Sequence, residues 1–312
     1  MIKYIILRAL WLILILITIA SLVYLITTYA MWSQYPSSIP KSVFLNALFK
    51  SYLDYMSGIL FRWDWGTPQY GLPVWTVFMY HVPHTMRIIW VAFFLSLVSG
   101  VVLGVISAVF KGTIIDKLIS SVTLSFASIP NYIWVLVFML VFGYQLGWFP
   151  PIPLSQTASQ ALRLKALVIP IAALSLAPTA KFISLIRNEL SDASYADYIL
   201  LLRVKGLTKT QIIFRHLIKD SIIAIMPEIA TTFIFVISGS FLLEYINNVP
   251  GTSILLYRSL LSPMMGGHYF NVNVPYAVLV CVFYTAMGLF FVFAVDMIYP
   301  LIDPRIRMGS KK

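Results

Sequence analysis

The chain has 312 residues, 60% of them hydrophobic and only 11% charged, and its formal net charge is +11. A soluble domain is about 25% charged, so this composition excludes a soluble globule, a disordered chain and a coiled coil, and it predicts a membrane protein. Basic excess in such a protein marks cytoplasmic loops rather than a nucleic-acid site, and the single cysteine, Cys281, excludes an internal disulfide framework.

Six apolar stretches are long enough to cross a bilayer, which takes about 20 residues per helix. In chain order they span 10–29, 88–110, 118–142, 166–186, 221–243 and 274–300. The first is longer than the roughly 7–15 apolar residues of a signal peptide, so we expect an uncleaved helix. A cleaved signal ending near Ala30 is the alternative. The sequence therefore predicts an all-α membrane protein with six transmembrane helices.

The lysines and arginines of the loops predict the orientation, because cytoplasmic loops carry an excess of them. With the N-terminus inside, fourteen of the 22 fall on the cytoplasmic side and seven on the outer side, while Lys181 interrupts the fourth helix. We therefore predict a multi-pass protein of the cell membrane with both termini in the cytoplasm.

The loop lengths divide the chain into four segments. Residues 1–30 form a cytoplasmic stub and the first helix, and 31–83 form an outer segment rich in tryptophan and tyrosine. These residue types favour the membrane–water interface, so we expect short interfacial helices there. Residues 84–302 form a five-helix core that includes a long cytoplasmic loop, 188–220, and residues 303–312 form a cytoplasmic tail.

The loop 188–220 predicts a helix–glycine–helix elbow. Four apolar positions at helical spacing define one face of its first helix, namely Tyr195, Tyr198, Ile199 and Leu202. Gly206 is expected to end that helix, since glycine readily takes the left-handed conformation of a C-cap. Thr208 and Gln211 have the spacing of a capping box, which starts a second helix. Such a basic elbow either docks a partner or lies on anionic lipid, and these residues alone leave both open.

Segment 200–207, Leu-Leu-Leu-Arg-Val-Lys-Gly-Leu, resembles the ATPase-coupling motif of ABC importer permeases, most closely those of the oligopeptide/dipeptide permease family. Other motifs agree with that family in order and spacing: Trp63-Asp64-Trp65-Gly66, Pro83-His84-Thr85 at the start of the second helix, Arg187, Arg215-His216, Glu244, Pro250-Gly251 and Asp303-Pro304-Arg305-Ile306-Arg307. The resemblance covers nearly the whole chain. Leu201 and Leu202 depart from it, because the family usually has small residues there.

The resemblance implies the fold of a type I ABC importer permease and a set of partners. These are a second homologous permease subunit, two ATP-binding subunits and an extracytoplasmic solute-binding protein. The ATPase-coupling residues it implies are Asp197, Tyr198, Leu201, Leu202, Arg203, Lys205 and Gly206. The residues expected to contact the binding protein are Asp64, Trp65, Pro250 and Gly251. We expect dipeptides or oligopeptides as cargo, although relatives also carry nickel chelates, glutathione and antimicrobial peptides.

The sequence predicts no catalytic or metal centre in this chain. It lacks a Gly-x-x-x-x-Gly-Lys-Ser/Thr phosphate loop, so ATP and its magnesium ion are expected on the partner subunits, with no cofactor here. The four histidines, His81, His84, His216 and His268, lack metal-ligand spacing, and no Gly-x-Ser-x-Gly elbow occurs.

Ionisable residues inside a membrane are candidates for function. Glu228 lies about two turns into the fifth helix and is a candidate for the substrate path, whereas Asp296 and Lys181 lie near the inner ends of their helices and are readily explained as structural. The alternative function is a proton-coupled secondary transporter that uses Glu228 and Asp296. The elbow and the absence of an inverted repeat argue against it.

Overall fold

The computed structural model describes residues 2–32, 41–67, 71–151, 159–194, 197–261 and 273–302. These parts of the chain are helical and contain no strand. The helices are α1 (Ile2–Trp32), α2 (Lys41–Arg62), α3 (Val74–Val109), α4 (Ile114–Ser128), α5 (Asn131–Phe138), α6 (Gln160–Ala166), α7 (Val168–Ala193), α8 (Asp197–Val204), α9 (Lys209–Ile212), α10 (Ile218–Ile246), α11 (Thr252–Leu261) and α12 (Val274–Ile302). Two π-helical stretches, Met139–Gln145 and Ile213–Leu217, extend α5 and precede α10.

Five helical stretches of the described residues are long and apolar enough to cross a membrane. They are Ile5–Met31, Val74–Val109, Gln160–Ala193, Ser221–Ile246 and Val274–Tyr299. A sixth span is formed only if α4 and α5 are taken together, and that pair bends by 104°. The predicted all-α membrane fold with up to six spans is therefore confirmed, with the third span broken.

The break in the third span has a local cause at Pro130. Proline disfavours the helical conformation in the residue before it, and Ile129 is accordingly extended, with φ −101° and ψ 126°. The sequence prediction of one continuous helix over 118–142 is therefore wrong, because hydropathy alone does not register one proline within an apolar run.

The second span also differs from its prediction. It begins at Val74 rather than near residue 88, and Pro83 lies inside α3 instead of at its start. The predicted boundary treated Arg87 as the edge of the membrane, although apolar residues continue before it. In the preceding outer segment, the described residues form one 22-residue helix, α2, where several short helices were expected.

The chain forms two compact units, each with its own core. The first comprises Met1–Met86 and Asn248–Phe290, and the second comprises Arg87–Asn247 and Phe291–Lys312. Helices α3 and α12 contribute residues to both units. The elbow and the charged residues of the spans lie in the second unit, whereas the predicted contacts for a binding protein lie in the first.

In the second unit, α7 packs against α10, α4 and α5. Its contact with α3 is close because α3 presents glycines there. A Cβ atom on Gly100 would lie 2.4 Å from Cβ of Phe182, and one on Gly104 would lie 2.8 Å from Cβ of Ile186. Small residues let membrane helices approach closely, so this pair of glycines sets the distance between α3 and α7.

Candidate functional site

The predicted end of the first elbow helix is confirmed at Gly206. This residue has φ +81°, a left-handed conformation that suits glycine. The backbone N–H of Gly206 donates to the carbonyl of Arg203 at 2.9 Å, and that of Leu207 donates to the carbonyl of Leu202 at 3.2 Å. These bonds satisfy carbonyls that the end of α8 leaves free, so the chain turns sharply after a short helix.

The predicted capping box is also present at the start of α9. The N–H of Thr208 donates to Oε1 of Gln211 at 2.9 Å, and the N–H of Gln211 donates to Oγ1 of Thr208 at 3.3 Å. The π-helical stretch Ile213–Leu217 then joins α9 to the long helix α10. The elbow is therefore an ordered structure that continues directly into a membrane span.

One face of the elbow is anchored in the second unit. Ile199 of α8 is 2% exposed, and it packs with Ile212, Ile213 and Leu217 against the ends of α3 and α7. Leu202 and Leu207 are partly buried against the same cluster. Leu202, one of the predicted coupling residues, is therefore turned in part toward this inner cluster.

The opposite face of α8 is apolar and exposed. Leu200 is 62% exposed, Leu201 66% and Val204 86%, and we call these three residues the elbow patch. Tyr198 is 43% exposed beside them, and the basic side chains of Arg203 and Lys205 are also exposed. The Asp197 side chain lies outside the described residues. Leu200 and Val204 were not among the predicted coupling residues, although neither lies on the helix face that carries Ile199.

A buried carboxylate lies where the elbow leaves the membrane helices. Asp116 accepts hydrogen bonds from Nε and Nη2 of Arg187 at 2.7 and 3.0 Å, from Oγ of Ser107 at 2.5 Å and from N–H of Gly112 at 2.9 Å. We call these four residues the Asp116 cluster. It ties together α3, α4 and α7, so the anchoring surface of the elbow is held in place by several hydrogen bonds.

A cavity of about 290 Å³ lies behind α8. Its lining combines the apolar anchor of the elbow with two hydroxyls and two basic side chains, Ser191, Ser194, Lys111 and Arg203. The Lys111 ammonium donates to the hydroxyl of Ser191.

Within the spans, the structure brings together two charged residues that the sequence places 47 positions apart. Nζ of Lys181 on α7 lies 2.6 Å from Oε2 of Glu228 on α10, and the two side chains are 45% and 39% exposed. Oγ1 of Thr231 donates to Oε2 of Glu228 at 2.7 Å. Asp296 is half-buried on α12. The sequence prediction considered Lys181 and Glu228 separately and missed their pairing.

The predicted outer contact residues lie in the first unit with different exposures. Trp65 is only 5% exposed, whereas Trp63 is 61% exposed and has φ 54°. Asp64 is exposed, and its Oδ1 accepts the N–H of Gly66 at 2.9 Å. In this turn, Trp63 and Asp64 are therefore accessible to a partner protein, whereas Trp65 is buried.

The second outer segment is fixed to the start of α3. The carbonyl of Pro250 lies 2.7 Å from Nδ1 of His81, and Gly251 is buried. Oγ1 of Thr85 accepts the N–H of Thr252 at 2.8 Å. Among the residues that the structure describes, no group of three or more histidine, cysteine or acidic side chains is placed to hold a metal ion.

Comparison with known families gives one match over most of the chain. Residues 100–308 match the model of the family described as binding-protein-dependent transport system inner membrane component. This stretch includes the elbow, the Asp116 cluster and the pair Lys181–Glu228.

Three curated relatives are permease proteins. The chain is 28% identical over 225 residues to dipeptide transport system permease protein DppB of Bacillus subtilis, with 70% of this chain and 66% of that protein covered. It is 27% identical over 263 residues to DppB of Lactococcus lactis, with 84% and 81% covered. It is 28% identical over 216 residues to oligopeptide transport system permease protein OppB of Salmonella typhimurium, with 69% and 66% covered. The chain thus spans just under two thirds of the first and third relatives.

A solved structure shares the fold. A chain of the inward-facing MetNI methionine ABC transporter matches with a TM-score of 0.57 and 19% identity, with 75% of this chain and 99% of that chain covered. At this identity the likeness shows the architecture alone, which is that of an ABC importer permease.

Proposed function

The chain belongs to the family of inner membrane components of binding-protein-dependent transport systems, and from this premise we propose that it is the permease subunit of an ATP-driven importer of peptides. It is a multi-pass protein of the plasma membrane. Peptides are proposed as cargo because the relatives named above are dipeptide and oligopeptide permeases.

The elbow patch carries the proposal that this chain couples to ATPase subunits. Leu200, Leu201 and Val204 expose large apolar side chains on a short helix whose other face is buried. Exposed apolar surface with a polar rim marks a protein contact, and the charges of Arg203 and Lys205 are suited to acidic groups on a partner. We assign Asp197, Tyr198, Leu201, Arg203, Lys205 and Gly206 to this contact, and we assign Leu202 to the inner anchor.

A rigid-body mechanism follows from the anchoring of the elbow. When two ATPase subunits close around ATP, each would displace the coupling helix that is seated in its groove, and in this chain that helix is α8. Ile199 and Leu202 would pass that displacement to the ends of α3 and α7, and the π-helical stretch would pass it to α10. ATP and magnesium are needed only on the partners, so this chain contributes motion and a path but no catalysis.

The remaining partners follow from the same architecture. We propose a second homologous permease subunit beside this chain and an extracytoplasmic binding protein above it, with both termini of this chain in the cytoplasm. We propose that Asp64 and Pro250 lie at the binding-protein face together with the exposed Trp63, and that the buried Trp65 and Gly251 support that face from beneath. We also propose the division into a first helix with its cytoplasmic stub, an outer segment, a five-helix core and a cytoplasmic tail, at residues 1–30, 31–83, 84–302 and 303–312.

Glu228 is proposed to lie on the substrate path. The alternative, a proton-coupled transporter using Glu228 and Asp296, loses its basis because the chain belongs to a binding-protein-dependent family. In addition, the Glu228 carboxylate is already engaged by Lys181 and Thr231 within this chain.

The decisive experiment is a mild-detergent pull-down of the tagged chain from its native membrane, followed by mass spectrometry and by uptake of a labelled peptide into vesicles. We expect a second permease chain and ATPase subunits to co-purify, and uptake to require ATP. The Leu201→Asp variant is compared with the unmodified chain. It is expected to lose the ATPase subunits but to retain the second permease chain. A well-folded chain recovered without partners under repeated gentle conditions would contradict the proposal.

A further inference from the structure

We infer that α7 and α10 present a peptide-binding surface on which Glu228 holds the terminal ammonium of the cargo and Lys181 its terminal carboxylate. The inference rests on the proposed peptide transport and deepens it by placing cargo recognition inside the membrane. It is carried by an exposed ion pair, by the polar stripe of α7 around that pair and by a groove next to it.

The ion pair is exposed on the outside of the second unit. Lys181 and Glu228 are in contact at 2.6 Å, yet their side chains remain 45% and 39% exposed. A charge that faces hydrocarbon costs several kcal/mol, and intramembrane charges therefore face protein or a water-filled cavity. The surface around this pair is thus turned away from lipid.

The exposed residues of α7 support the same conclusion. Lys181, Ser184 and Asn188 are its exposed positions in this region, at spacings of i, i+3 and i+7 on one face. All three are polar. By contrast, the exposed positions of α1 include Leu10, Trp11 and Leu14, as lipid contact requires.

Helix α10 adds a surface of mixed chemistry, because its exposed residues after Glu228 include the apolar Ile234 and Leu242 as well as polar residues. Thr231 and Ser238 are exposed on the face that carries Glu228, with the exposed aromatic ring of Phe235 between them. Such a surface can contact peptide side chains of different chemistry, because it presents hydroxyl, aromatic and charged groups within three turns of helix.

A groove of about 370 Å³ opens next to the pair. It is lined by the broken span at Pro130 and Asn131 and by Ala177, Phe235 and Ser238. Ala177 is one helical turn from Lys181, and Phe235 is two turns from Glu228, so the groove begins about 5–10 Å from the charges. An extended peptide covers about 3.3–3.6 Å per residue. A peptide end held at the pair would therefore place a side chain one to three residues away in the groove.

Binding exchanges one ion pair for two. Lys181 and Glu228 neutralise each other in their mutual contact, so neither charge is left unpaired inside the membrane. A zwitterionic peptide offers an ammonium to Glu228 and a carboxylate to Lys181. The flexible stem of Lys181 allows the two groups to separate, and Thr231 keeps Glu228 in place.

The surface is tested first by cysteine labelling of the complete transporter in vesicles. In a Cys281→Ser background, Ser184→Cys reports the polar stripe and Val98→Cys, on an exposed apolar face of α3, is the matched control. We expect the charged, membrane-impermeant reagent MTSET to react at least about tenfold faster at residue 184 than at residue 98, since a thiol ionises to the reactive thiolate in water but not in hydrocarbon. Equal, slow labelling at both positions would show a surface facing lipid or sealed by the second permease, and would overturn the inference.

The roles of the two charges are tested by protection of residue 184 with tri-alanine. We expect Lys181→Met to weaken protection by tri-alanine about tenfold, as expected for loss of one charged hydrogen bond. It should not further weaken protection by tri-alanine amide, which lacks the terminal carboxylate. For Glu228→Gln, we likewise expect protection by tri-alanine to weaken about tenfold. It should not further weaken protection by N-acetyl-tri-alanine, which lacks the terminal ammonium.

Two outcomes would overturn this assignment. The first is equal weakening for free and blocked peptides, which would mean that the variants act through structure. The second is fast labelling without protection by any of the peptides. Neither outcome affects the proposed function, because ATP-dependent peptide uptake by the unmodified transporter is measured separately.

Discussion

Arg187 of α7 donates two hydrogen bonds to the carboxylate of Asp116 of α4, with Nε–Oδ1 and Nη2–Oδ2 distances of 2.7 and 3.0 Å. Asp116 is 4% exposed, and Ser107 and Gly112 donate to it as well. A bidentate guanidinium–carboxylate pair is both strong and geometrically specific. The pair therefore fixes α4 against α7 beside the anchor of the elbow.

Replacing Arg187 alone is expected to destabilise the protein. Arg187→Met leaves the buried charge of Asp116 without its cation, which typically costs about 3–5 kcal/mol. We expect a fall of several degrees in the melting temperature of the detergent-solubilised protein, whereas the exposed Arg163→Met should leave it unchanged. The double variant Asp116→Leu/Arg187→Met should recover much of the loss, because no unpaired charge remains. A double variant no more stable than Arg187→Met would contradict this explanation.

The glycine pair of α3 gives a second prediction. A methyl group on Gly100 would lie 2.4 Å from Cβ of Phe182, a distance that requires the helices to separate. Overpacking of this kind costs about 1–3 kcal/mol, so Gly100→Ala should lower the melting temperature. The control is Val98→Ala on the exposed face of the same helix, with an expected change below about 0.5 kcal/mol. Equal melting temperatures for the two variants would show that α3 and α7 are not in tight contact.

Local signals were readable from the sequence, whereas pairings between distant segments were not. Gly206 and the box of Thr208 and Gln211 were predicted correctly because each depends on residues within a few positions. The contact between Lys181 and Glu228 was missed because it depends on how two spans pack. Hydropathy counting likewise missed the break at Pro130.

Two features were missed even though the sequence carries a signal for them. Gly100 and Gly104 are spaced as in a small-xxx-small helix contact, but an apolar count treats glycine as neutral. Leu200 and Val204 of the elbow patch were not singled out, because the spacing of Tyr198, Ile199 and Leu202 was taken to define the apolar face of the helix. The sequence of α8 does not indicate which of its faces is buried, because that depends on the apolar surface that α3 and α7 present to Ile199 and Leu202.

Gly206 gives a prediction that separates backbone conformation from packing. No atom lies within 4 Å of a Cβ placed on Gly206, so a side chain meets only the strain of φ +81°. That strain is roughly 1–2 kcal/mol for alanine and less for asparagine. We expect transport to be near normal in Gly206→Asn and reduced in Gly206→Ala. It should be lost in Gly206→Pro, because proline cannot adopt this φ and lacks the N–H that bonds to Arg203. Equal transport by all three variants would show that the turn is not needed.

The orientation gives a fourth prediction. Lys50 and Lys205 are both exposed, and the excess of basic residues in the predicted inner loops places them on opposite sides of the membrane. In a Cys281→Ser background, Lys50→Cys should react with an impermeant thiol reagent added to intact cells, whereas Lys205→Cys should react only after the membrane is opened. The reverse pattern would place the termini outside.

The last prediction uses the two faces of α8, which carry adjacent leucines in different environments. Leu201 is 66% exposed in the elbow patch, while Leu202 packs against the inner cluster. Leu201→Asp should therefore leave the melting temperature unchanged, yet abolish ATPase co-purification and ATP-dependent uptake, because a charge replaces an apolar contact. Leu202→Asp should lower the melting temperature itself, since it places a carboxylate against the apolar cluster that contains Ile199 and Ile213. Normal ATPase binding by a stable Leu201→Asp protein would show that the partner docks elsewhere.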